Sequence, residues 1–279
     1  MTNRPASPRR LLILGAVLLA AVLASLHLMP NSPPTAEPSP SPTLPPLPVQ
    51  PTEVRLTAKG WWAWAILDMR TGEISGSANL TETSTTASMI KAWLVADYLR
   101  RTAEAGRTPS DARLRQLTAI IRDSNNEYTQ SLYNELGRSK SIERLIDICD
   151  LTDSSPASDG GWSRTALSAR DTARMGACIA DGRAAGPEWT DWLLNEMRLV
   201  RGIGDFGIRD AFPADERQHI AIKNGWIERA PEREYHVSCL AIGDDWTMGV
   251  LVRYPFGVGG YEYGMKICEK IATQLRAAP

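Results

Sequence analysis

The chain is predicted to fold as an α+β protein, with one antiparallel five-stranded sheet built from both chain ends, flanking helices and a mostly helical middle. Two early strand signals, a long stretch of helical apolar spacing, and three late strand signals before a closing helix give this reading. The 279 residues are 43% hydrophobic, enough for one sizeable domain, and a net charge of -1 with mixed signs gives no electrostatic basis for binding nucleic acid.

Arg4, Arg9 and Arg10 precede a run from Leu11 to Met29 that holds no charged side chain unless His27 is protonated. At the helical rise this run spans roughly 28 Å, close to the hydrocarbon thickness of a bilayer. Residues 1–29 are therefore expected to be a transmembrane signal anchor, with the arginines inside and the rest of the chain outside. A cleaved signal peptide ending near Ala21 or Ala24 is the rival, and the domain would then be secreted. The Arg9-Arg10 pair also resembles a twin-arginine export signal. No cysteine lies near the end of the run, so a lipid-modified cysteine is not expected there. Ten of the nineteen prolines fall between Pro30 and Pro51, and such a segment favours extended conformations over a core. Residues 30–55 read as a stalk, and 56–279 as the folded domain.

Trp62, Trp64 and Ile66 alternate, and Arg70-Thr71-Gly72-Glu73 looks like a hairpin turn returning through Ile74. A helix is expected from Thr86 to Glu104, where Ile90, Trp93, Leu94 and Leu99 recur at helical spacing. Further helices are expected over 111–122, 127–136, 141–149, 168–180 and 189–199. Strands are expected over 219–226, 234–242 and 246–254, and a last helix over 262–278. Trp61, Trp62 and Trp64 could present a carbohydrate- or partner-binding face, but aromatics at such positions more often pack a sheet.

Four cysteines, Cys149, Cys178, Cys239 and Cys268, permit three pairings, and an exported location favours disulfides. Pairing neighbours in order joins Cys149 to Cys178 and Cys239 to Cys268, with free thiols as the alternative. No CxxC pair and no nearby histidine argue against zinc, and no other metal or cofactor is implied. His219 and His236 fall in expected strands with no matching nucleophile motif, which gives a Ser-His-Asp arrangement little support.

Ser88-Met89-Ile90-Lys91 opens the first expected helix. Residues three apart share a helical face, so a lysine amine can approach the serine hydroxyl, and a desolvated lysine can serve as its base. Ser124-Asn125-Asn126 breaks two apolar helical stretches and can present a hydroxyl and an amide, although Ser124 would also make an ordinary helix cap. Lys223-Asn224-Gly225-Trp226 ends an expected strand. Its ammonium can hold a carboxylate, and its glycine permits close approach of a substrate to the backbone.

Taken in order, Ser-x-x-Lys, Ser-x-Asn and Lys-x-Gly resemble the signature of class A β-lactamases and penicillin-binding proteins, over roughly residues 60 to 275. Ser168-Ala169-Arg170-Asp171 with Ala173 is also similar to a helix start in that family. The resemblance implies a serine hydrolase acting on a β-lactam or on D-alanyl peptides of the cell wall. Ser88 would be acylated, Lys91 would help deprotonate it, and Ser124 would relay a proton to the leaving nitrogen. Asn126, Lys223, Asn224 and Gly225 would bind substrate, and the backbone N–H groups of Ser88 and Trp226 would form the oxyanion hole. Asn125 stands where that family has aspartate, and the segment from Lys91 to Ser124 is short for a class A enzyme. Between Thr152 and Thr165 there is no glutamate to match the family's deacylating one, only Asp153 and Asp159. Efficient hydrolysis of an acyl-enzyme is therefore not expected, and a catalytically impaired protein that binds cell-wall ligands is the alternative reading.

Overall fold

Strand β1 (Trp61–Asp68) and strand β2 (Ile74–Gly76) form the expected hairpin, closed by a turn in which Gly72 adopts φ 76°. The computed structural model describes residues 44–276, so the expected anchor and most of the stalk lie outside the described residues. Among the described residues no helix is long and apolar enough to cross a membrane. The end of the proline-rich stretch joins the fold: Leu47 and Val49 are buried, and the Gln50 N–H donates to the Leu275 carbonyl at 2.6 Å.

After β3 (Thr83–Thr85) and a 3₁₀ turn, Ala87–Ile90, comes the central helix α1 (Lys91–Glu104), buried at Trp93, Leu94, Val95 and Leu99. Helix α2 (Asp111–Arg122) is capped by the Ser110 side chain, which accepts from Arg113 N–H, and α3 (Asn126–Glu135) by Asn125, which accepts from Tyr128 N–H. Helix α4 (Ser139–Ile148) follows. Strand β4 (Ala166–Ser168) then pairs with β3 in a small second sheet and feeds α5 (Ala169–Ala180), whose cap is Ser168. After α6 (Thr190–Arg198) and the short α7 (Ala214–Arg217) come β5 (Ala221–Arg229), β6 (Glu234–Ile242) and β7 (Trp246–Pro255), then the closing helix α8 (Tyr261–Leu275).

The main sheet is antiparallel and runs β2-β1-β7-β6-β5, so the last strand pairs with the first and both chain ends build it. Helices α5 and α8 pack on the sheet, and β5 is left as a free edge. Two elements depart furthest from their expected bounds. The helix expected from Thr86 becomes α-helical only at Lys91, because Ala87 at φ 45° lies outside the right-handed region. The strand expected from His219 starts at Ala221 and runs on to Arg229. His219 and Ile220 belong instead to a turn, their N–H groups donating to the Glu216 and Arg217 carbonyls.

Cys149 pairs with Cys178, tying the end of α4 to α5, and Cys239 pairs with Cys268, tying β6 to α8. Each closes a span of 29 residues, for which denatured-chain entropy implies roughly 3–4 kcal/mol of stabilisation apiece. Urea unfolding of a Cys239→Ala/Cys268→Ala variant is expected to give a free energy lower by roughly 2–4 kcal/mol than wild type.

Candidate functional site

The three motifs lie far apart in the chain and meet where the 3₁₀ turn, the α2–α3 junction and the edge strand β5 converge. Ser88 sits on the turn, half-buried. At the second position of a short helix its N–H is one of the terminal donors that the helix leaves unpaired. Gly225 explains how β5 comes so close. A Cβ at that position would stand 2.4 Å from the Thr86 carbonyl oxygen, 2.5 Å from Ser88 N and 2.6 Å from Met89 N. The glycine therefore admits the backbone of the turn that bears Ser88, whereas the sequence assigns that clearance to a substrate.

Lys91 is fully buried, and its Nζ donates to the Ser124 carbonyl at 2.5 Å and to Asn126 Oδ1 at 2.7 Å, with Ser124 Oγ at 3.1 Å. Ser88 Oγ is not among its hydrogen-bond partners, so the direct pair that helical spacing implied is replaced by a cluster around Ser124. Lys223, also fully buried, places Nζ 3.2 Å from the same Ser124 Oγ and 3.3 Å from the Asn224 carbonyl. A hydroxyl between two amines can accept from one and donate to the other, which fits one ammonium and one neutral amine. Burial, and then the neighbouring charge of Lys223, push the Lys91 amine down to about 6; burial pushes Lys223 down to about 7. Ser124 adopts φ 56° and Ala87, next to Ser88, φ 45°. Backbone strain of this kind, on order of 1–3 kcal/mol per residue, persists only where the surrounding packing enforces it.

Asn224 does not fit the substrate-binding role expected of it. Alternation along β5 turns its side chain to the face opposite Lys223. There Nδ2 donates to the Gly204 and Phe206 carbonyls, at 3.1 and 2.6 Å. It fixes the loop beneath the strand, and its carbonyl borders the cleft only through the bond from Lys223. The Trp226 side chain lies on that same far face, edge-on to Phe206 with centroids 5.8 Å apart, leaving its backbone N–H on the edge strand.

The two acids of the 152–165 segment are both engaged by arginine. Asp153 accepts from Arg170 at 2.6 Å and from Ser168 Oγ at 2.7 Å, and Asp159 accepts from Arg164. No carboxylate hydrogen-bonds to Lys91, Ser124 or Lys223 among the described residues. His236 is occupied elsewhere, its Nδ1 2.8 Å from Thr85 Oγ1, and burial pushes its imidazole down to about 4. What sequence reasoning missed is Trp162: its ring stands over Lys91, with Nζ 5.0 Å from the centroid, and its Nε1–H donates to Gln130 Oε1 at 3.1 Å.

No family model matches the chain. Curated relatives from Mycobacterium tuberculosis and Mycobacterium bovis, each named "Putative lipoprotein LppW", are 26% identical over 188 residues. The match covers 65% of this chain and 59% of the length of those relatives. Among solved structures, the TLA-1 extended-spectrum β-lactamase aligns over 79% of this chain and 93% of its own, with TM-score 0.65 and 13% identity. A β-lactamase from Xanthomonas campestris pv. campestris aligns over 78% and 91%, with TM-score 0.60 and 17% identity. An ancestral class A β-lactamase aligns over 77% and 93%, with TM-score 0.59 and 15% identity. The chain has the serine β-lactamase-like fold.

Proposed function

We propose that this protein is a serine acyl-transfer enzyme of the cell exterior that reacts with β-lactams or with D-alanyl peptides of peptidoglycan through Ser88. The observation that carries this reading is the Ser124 hydroxyl held between two buried amines beside the turn that bears Ser88. In acylation, Ser88 Oγ bonds to the substrate carbonyl carbon, and its proton passes into the Lys91–Ser124 cluster. The carbonyl C–N bond then breaks, and the leaving nitrogen takes a proton from Ser124 Oγ. Lys223 holds the substrate carboxylate, Asn126 offers its Nδ2 to a substrate carbonyl, and the Ser88 and Trp226 N–H groups receive the oxyanion.

Release of the acyl group is slow in this reading, because Asp153 and Asp159 are committed to arginines and no other carboxylate among the described residues hydrogen-bonds to the cluster. Two disulfides and the lipoprotein name of the curated relatives support an exported, envelope-associated protein. The N-terminal anchor and proline-rich stalk, read from sequence, complete this proposal. Incubation with a fluorescent penicillin, followed by digestion and mass spectrometry, is expected to find one long-lived adduct on the peptide containing Ser88. Folded protein that takes no label, or takes it elsewhere, supports the impaired ligand-binding alternative instead.

A further inference from the structure

The Lys91 amine is enclosed on every side that the described residues supply. The Ser124 carbonyl, Ser124 Oγ and Asn126 Oδ1 take its hydrogen-bonding directions, and the Trp162 ring lies over it. The Nε1–H of that ring donates to Gln130 Oε1 of α3. The segment carrying it is pinned at both ends. The Asp153 N–H donates to Asp171, buried at the start of α5, while Ser155 and Ala166 exchange backbone hydrogen bonds. Trp162 thus bridges from the 152–165 segment to α3 across the amine.

We propose that Trp162, held by Gln130, is a positioning residue that seals Lys91 from water, so that the amine serves acylation but activates no water afterwards and the acyl-enzyme persists. This rests on the acyl-enzyme reading and assigns the slow release to a side chain. Hydrolysis would require a water oxygen to add to the ester carbonyl carbon while giving up a proton. The C–O bond to Ser88 Oγ would then break, with Oγ reprotonated. The indole stands over the amine that such a water would have to reach, and among the described residues no carboxylate hydrogen-bonds to that amine.

Two effects of the ring on Lys91 oppose each other. Its π face favours the ammonium, while its bulk excludes the water that would solvate a charge. Burial is the largest influence on this amine, and the ring is one of the groups that cover it. The charge of Lys223 acts on the amine in the same direction as burial, and the other charged groups nearby are paired or exposed. Lys223 of β5 shares Ser124 with it, while Asp123 is held by Arg201, Arg122 by Glu196, Arg164 by Asp159 and Arg170 by Asp153. Glu127 of α3 is exposed.

The test uses lysine carrying ¹³C at Cε, with Lys91→Ala supplying the assignment, and follows the Lys91 resonance through a pH titration. Trp162→Ala is expected to raise its midpoint by about one pH unit or more, and Trp162→Phe, which keeps a ring, to leave it within about 0.3. In parallel, the fluorescent penicillin adduct is expected to decay at least about tenfold faster in Trp162→Ala than in wild type or Trp162→Phe. Gln130→Ala, a milder change, is expected to move both readouts the same way and serves if Trp162→Ala does not fold. An unmoved midpoint in a folded variant overturns the seal whether or not the protein takes label. A moved midpoint with an unchanged adduct lifetime overturns its role in retaining the acyl group. Wild type that takes no label counts against the acyl-enzyme reading alone and leaves the titration to decide the seal.

Discussion

Ser88→Ala is expected to abolish covalent labelling by a penicillin at every pH, and Lys91→Ala to slow it by about 10²–10⁴-fold, the range a general base contributes. The two losses differ in cause, and the pH profile separates the two lysines. Acylation in this cluster needs Lys91 neutral, to take a proton, and Lys223 protonated, to hold a carboxylate. The wild-type labelling rate should therefore rise as pH climbs through about 6, where Lys91 loses its proton, and fall above about 7, where Lys223 loses its own. Because both amines share the Ser124 hydroxyl, the limbs report the pair as a unit. The residual activity of Lys91→Ala should lack the acid limb. Lys223→Ala should lack the alkaline limb and need higher penicillin concentrations to saturate. Rate constants of labelling from about pH 5 to about pH 9 at fixed ionic strength check each limb. A flat profile in wild type would remove Lys91 from the role of base.

Much of this site is legible along the chain because its chemistry is carried by short local patterns. Ser88 and Lys91 fall on the 3₁₀ turn and the start of α1, Ser124 and Asn126 on the α2–α3 junction and the start of α3, and Lys223 and Gly225 on β5, and the order of the three motifs tracks the order of those segments. The disulfides were legible for a similar reason, each joining neighbouring cysteines across 29 residues. The misreading at Asn224 was avoidable. Neighbours in a strand point to opposite faces, so Lys223 reaching Ser124 already commits Asn224 to the other side of the sheet. Trp162 is a different matter. It meets a lysine 71 positions earlier in the chain, from a 3₁₀ turn with no periodic signal, and only the closed tertiary fold brings the two together. The same holds for the missing Ser88–Lys91 bond. Local spacing says which side chains share a face, whereas the partner a buried amine chooses depends on which oxygens the rest of the fold delivers.

Gly225→Ala should be the most damaging single-methyl change in the site, and the reason lies in what the methyl would meet. Its three nearest neighbours, at 2.4 to 2.6 Å, are all backbone atoms of Thr86, Ser88 and Met89, so no rotamer change can relieve the overlap. Either β5 separates from the turn or the turn itself moves. Overpacking of this sort costs about 1–3 kcal/mol, and more where only backbone can give way. Part of that strain is already present in the wild type, since Ala87 holds φ 45° immediately before Ser88. The displaced atoms include the Ser88 N–H proposed for the oxyanion, and loss of one such donor lowers acyl transfer by about 10²–10³-fold. Urea unfolding and labelling rate should therefore fall together in Gly225→Ala. By contrast, Asn224→Ala, on the opposite face, removes the bonds to the Gly204 and Phe206 carbonyls and should reduce stability more than it slows labelling. A Gly225→Ala variant that labels at the wild-type rate would mean that the turn and the strand do not abut in solution, and the proposed oxyanion site would go with them.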